Sequence, residues 1–108
     1  MEDDLRDLSK LIPFIAEHFQ FDERKYPELK GVTKEQRLNF AIRHSALHFA
    51  KTAGKIATVS EAVDHGGKLD TEELKKNIPK ALINTLRLAE LLEMSETDLI
   101  KAIRSKIF

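Results

Sequence analysis

Two sets of polar side chains stand at helical spacing, and both could handle a phosphate. In the first, Arg37, His44, His48, Lys51 and Lys55 are 7, 4, 3 and 4 residues apart. At about 100° per residue, those positions share one helix face. No Asp or Glu lies between Gln36 and Ser60, so that face is purely basic. In the second, Glu73, Asn77, Lys80, Asn84 and Arg87 are 4, 3, 4 and 3 apart and form a polar stripe. Arginine offers phosphate a planar fork and lysine a point charge. Two lysines such as Lys55 and Lys80, placed on facing helices, repel unless an anion sits between them. Otherwise they turn apart into water or pair with acids such as Glu73, and the stripe is simply a solvated flank of the core.

His44 and His48 are four apart, a spacing that can clasp a transition metal, with the distant His65 as third ligand. The neighbours are cationic and no carboxylate shares the face, so no metal site is expected there. His65 closes a helix, where the dipole favours its charged form.

The elements that carry these stripes follow from apolar spacing and caps. Residues 3–20 read as a first helix, with Asp3, Asp4 and Asp7 at its N-terminus and Leu5, Leu8, Ile12, Ile15 and Phe19 as its stripe. Pro13 predicts a kink or break. Residues 21–33 contain Pro27 and Gly31 and read as a loop. Thr33 with Gln36 is a capping box that starts a second helix at Lys34. Its core stripe is Ile42, Ala46, Phe49, Ala53, Ile56 and Val63, and Gly66-Gly67 stops it. Phe40 and Leu47 lie outside that stripe and suit a subunit contact. Asp70 caps a third helix, with the stripe Leu74, Ile78, Leu82, Leu86, Ala89 and Leu92 and an expected bend before Pro79 near Lys75 and Lys76. Ser95 with Asp98 opens a fourth helix, from Glu96 to about Lys106, burying Leu99, Ile100 and Ile103. No window alternates as a half-buried strand does.

The chain has 108 residues and reads as a single domain, 1–108. Basic and acidic residues both number 18, so there is no global field to attract nucleic acid or an anionic membrane. The absence of cysteine excludes a thiolate nucleophile, a disulfide and a zinc–thiolate site. The acidic start MEDDLRDLSK lacks the apolar stretch of a signal peptide, and no run approaches the roughly 20 apolar residues that span a bilayer. A cytoplasmic protein without membrane contact is expected. Leu88 to Ile103 has the outline of a helix-turn-helix. Its recognition helix opens with Glu96 and Asp98, the wrong sign for phosphate, so no DNA binding is expected.

The run HFAKTAGKIA, followed by NIPKALINTLRLAELLEMSETDLIKAI, resembles the MazG-like, all-α nucleoside triphosphate pyrophosphohydrolases. In that family one helix carries Glu-x-x-Glu inside a phrase like E-E-x-G-E-L-A. A later helix carries Glu-x-x-Asp before a phrase ending in L-R-L-A. Here Gly54, Ile56-Ala57 and Leu86-Arg87-Leu88-Ala89 match, and the likeness covers roughly Leu38 to Ile103. The resemblance implies a four-helix antiparallel bundle, dimeric or tetrameric. At the four carboxylate positions, however, this chain has Thr52, Lys55, Asn77 and Lys80. Family members hold Mg²⁺ there, and lysine has only donors and cannot ligate. The resemblance therefore carries over the fold but neither the metal nor the activity.

The expected function is that of a catalytically degenerate relative with no cofactor. It binds nucleotide or another phosphate ligand through His48, Lys51, Thr52, Lys55, Asn77, Lys80, Asn84 and Arg87, or it acts as an oligomeric interaction module. The alternative is an active Mg²⁺-dependent pyrophosphohydrolase using displaced carboxylates, Glu61, Asp64 and Glu73. Glu61 lies about 240° round the helix from Lys55, off the basic face, and more naturally pairs with a cation.

Overall fold

Asp7 accepts a hydrogen bond from the Ser9 backbone and so sets the start of the first helix. The computed structural model describes residues 7–108, and the expectations for Leu5, Asp3 and Asp4 lie outside them. Four α-helices follow: α1 (Leu8–His18), α2 (Lys34–Glu61), α3 (Thr71–Leu91) and α4 (Glu96–Ile107). Short 3₁₀ turns at Pro27–Leu29 and Ala62–His65 interrupt the connections, and the described residues hold no strand. None of these helices is long and apolar enough to cross a membrane.

The caps stand where the side chains require them. Thr33 and Gln36 exchange both hydrogen bonds of a capping box, at 3.1 and 2.9 Å, and Ser95 and Asp98 do the same. Asp70 accepts from the Glu73 backbone. Gly66 ends the second helical run with φ +84°, a left-handed conformation that costs glycine nothing. A Cβ on Gly67 would sit 2.9 Å from the Ala62 carbonyl oxygen, so both glycines of this turn are required. Between α3 and α4, Glu93 takes a positive φ of 59° while Met94 N–H donates to the Ala89 carbonyl. Pro13 and Pro79 lie inside α1 and α3, and both helices run on through them, so the break expected at Pro13 does not occur.

Packing departs from the sequence pattern. The main contact is α2 against α3, with α1 also laid on α3. On α2 the buried residues are Ala41, Ser45 and Thr52, with Ile42, Ile56 and Val59 partly covered. Ala46, Phe49, Ala53 and Val63, expected in the core, are exposed. The buried face is thus turned by about one residue, roughly 100°, from the apolar stripe. Small side chains let the two helix backbones approach, and the bulkier apolar ones are left outside.

The third helix keeps Leu86 and Ala89 of its expected stripe buried and departs from that stripe elsewhere. Asn77 and Arg87 of its polar stripe are buried, whereas Ile78 and Leu82 of its apolar stripe are 58% and 52% exposed. Ile12, Ile15 and Leu86 form the core cluster, flanked by Leu11, Ile83 and Leu99. Of the residues expected to anchor α4, only Leu99 reaches this cluster, while Ile100 and Ile103 stay exposed.

Candidate functional site

Four of the eight expected ligand residues sit on α2 and four on α3, the two helices that pack together. Thr52 and Asn77 are both buried, Asn77 the more completely at 1% exposure. The Asn77 amide donates to the Glu73 carbonyl at 2.8 Å and to its carboxylate at 3.2 Å. Glu73 is therefore occupied inside α3. Ser45 and Thr52 add two hydroxyls to the same seam, and neither bonds to a described residue. Lys51, Lys55, Lys80 and His48 are exposed, and the three lysines make no ion pair with a described residue. Asn84 is half-buried.

Arg87 belongs to a different environment. Its guanidinium lies 5.0 Å from the centroid of the Phe21 ring and pairs with Glu90 one turn on. Its Nε is buried without a partner. It borders a cavity of about 380 Å³ shared with Phe21, Arg37, Leu38 and Leu91. Its guanidinium is committed to Phe21 and Glu90. Neither this cavity nor three others of similar size is lined by His48, Lys51, Thr52, Lys55, Asn77, Lys80 or Asn84.

The basic face of α2 divides in two. The loop after α1 folds over its first half. Arg37 donates to the Phe21 carbonyl at 3.1 Å and pairs with Glu23 at 3.2 Å. Phe21, Tyr26, Phe40 and His44 pack as one aromatic cluster, with ring centroids 5.1 to 6.1 Å apart. Phe40, expected at a subunit contact, is partly covered by this loop, while Leu47 remains exposed at 62%. The Tyr26 hydroxyl lies 3.2 Å from His44 Nε2. Burial first, then the neighbouring His48, lowers the His44 pKa, and Glu28 opposes them. The signal for this cluster was Phe40, His44 and His48 at successive four-residue steps, a ladder of rings on one face.

The metal readings fare differently from the anion reading. His44 and His48 have ring centroids 4.5 Å apart, but His65 is engaged by Glu61 at 3.1 Å on the last turns of the helix. Glu61 is thus engaged by His65 of the 3₁₀ turn that follows α2. Among the described residues, no group of three His, Cys, Asp or Glu side chains is placed to hold a metal ion. The Mg²⁺ of the resembled family therefore does not fit: its positions hold two exposed ammonium groups, a buried hydroxyl and an amide already hydrogen-bonded. Compared with models of known protein families, with curated proteins and with solved structures, the chain matches none.

Proposed function

We propose that this protein is a non-catalytic, MazG-like helical module whose work is to assemble with further copies of itself. The carrying observation is the amount of surface left uncovered. A folded monomer of 12.3 kDa exposes about 6100 Å², whereas this chain exposes 8369 Å². Buried from both partners of a dimer, this surplus of about 2300 Å² per chain would total about 4600 Å², within the range of obligate interfaces. The radius of gyration, 16.6 Å, exceeds the roughly 13 Å of a compact domain of this length. The test is the mass of the purified chain by light scattering across a wide concentration range. A multiple of 12.3 kDa that persists on dilution supports the reading. A monomer at every concentration overturns it.

A second reading rests on Lys51, Lys55 and Lys80, exposed cations without an ion pair to any described residue. They are the exposed cations of the expected site for a nucleotide or other phosphate ligand, to which Thr52, Asn77, Asn84 and His48 also belong. Thermal unfolding with nucleoside mono-, di- and triphosphates, with and without Mg²⁺, tests it. At a hundred times its dissociation constant a ligand stabilises the fold by about 2.7 kcal/mol. A metal-independent shift that disappears in Lys55→Glu/Lys80→Glu supports the reading, and a shift that survives the double change removes it. A shift that requires Mg²⁺ would instead favour the displaced carboxylates Glu61, Asp64 and Glu73.

A further inference from the structure

Between α1 and α3 lies a groove of about 390 Å³, its walls almost wholly apolar. Leu11, Phe14, Phe19, Leu82 and Ile83 line it, and Phe14 and Phe19 remain 42% and 43% exposed. Among the described residues, none fills it. At the same time α4 carries an apolar stripe at Ile100, Ile103 and Ile107, spaced three and four apart, and all three are exposed. A helix with anchors at that spacing is the usual occupant of an apolar groove.

The helix cannot lie in its own groove. It follows α3 after the four residues Leu92 to Ser95. That turn is fixed at both ends: Met94 N–H closes on the Ala89 carbonyl, and Ser95 and Asp98 lock the first turn of α4 in a capping box. Leu99 pins the helix base to the cluster of Ile12, Ile15 and Leu86. Folding α4 back would break each of these. A second copy meets no such obstacle. It carries the same stripe and the same groove, so two copies can make the contact reciprocally about a two-fold axis.

We propose that in a two-fold dimer each copy seats the Ile100, Ile103 and Ile107 stripe of its α4 in the α1–α3 groove of the other. The inference rests on the assembly reading and gives that assembly its geometry. Two reciprocal helix-in-groove contacts also account for why so much apolar area is left on α3 and α4.

The chain has no cysteine, which makes the test clean. Full-length Ile103→Cys and Leu82→Cys chains are prepared separately, unfolded, mixed, refolded together and oxidised. The expected result is a covalent dimer joining one chain of each kind, with far less product from either chain alone. Ile103→Asp and Leu82→Asp, each at an exposed position, should halve the mass seen by light scattering while far-UV circular dichroism keeps its helical signal. If the unaltered chain is oligomeric but the mixture does not cross-link and both Asp variants keep their mass, this geometry is wrong and the assembly reading stands. If the unaltered chain is monomeric throughout, both fall. A monomeric chain that captures another protein through this groove would likewise reject the second copy as occupant.

Discussion

Along the seam between α2 and α3 the buried side chains are small or polar: Ala41, Ser45, Thr52 and Asn77. Across α1, α3 and α4 the exposed ones are large and apolar: Phe14, Ile78, Leu82 and Ile103. An isolated domain normally has these the other way round, because burying apolar area stabilises and burying an unpaired polar group costs. The difference teaches that the helices are placed by backbone approach, capping and one compact cluster around Leu86. Much large apolar surface stays exposed on these three helices.

The comparison can be broken most directly at the seam. Ser45→Leu places a branched side chain where two backbones approach, and it should cost about 3 kcal/mol in urea unfolding, the upper end for an overpacked site. Tolerance of leucine there would mean the helices are not held together by small residues. Asn77→Leu sharpens the point. Its amide bonds only within α3, so an apolar residue of similar shape should change stability by less than about 1 kcal/mol. A much larger loss would mean that the amide also holds α2.

Titration gives a smaller effect. His44 has its pKa lowered chiefly by burial, so above its ordinary value of about 6.5 folded and unfolded chains bind no proton there and the group contributes nothing to the pH dependence. As the pH falls below that value the unfolded chain takes up the proton first, and stability declines until the folded pKa is passed. The urea midpoint should therefore drop on mild acidification, and His44→Gln should remove part of that drop. An unchanged slope in the variant would place the titration elsewhere. The least effect is expected on the outer face. Ile78→Ser should alter the stability of the isolated chain by no more than about 0.5 kcal/mol, as at other exposed positions. A loss of several times that at high dilution would show that Ile78 serves the fold itself.

Start and stop signals were legible in the sequence because they are local. Thr33 with Gln36, Asp70 and Ser95 with Asp98 each start a helix where they stand, whereas α2 ends at Glu61 and the glycine pair closes the 3₁₀ turn that follows it. Helical class was equally plain. Which face turns inward was not, since an apolar stripe on α2 or α3 looks the same whether its own chain or another covers it. The shift from Ile42, Ala46 and Phe49 to Ala41 and Ser45 depends on how closely two helices approach, which no single helix records. The candidate site suffered from the same limit. Lys51, Lys55 and Lys80 stand exposed as their chemistry suggested, but Arg87 was claimed by Phe21, a residue 66 positions earlier in the chain. Nothing in the spacing of the polar stripe could announce that contact.

The two glycines after α2 also bear on how the chain reaches this state. Gly66 and Gly67 turn the backbone within a few residues, so α2 and α3 can meet after closing only a short loop. Closing a short loop costs little chain entropy, and contacts near in sequence form quickly. Docking of α1 on α3 must instead enclose the whole of α2. The hairpin of α2 and α3 is therefore expected to form early and α1 to join late. A side chain at Gly67 would slow refolding more than it would hasten unfolding, the mark of a turn already made at the transition state.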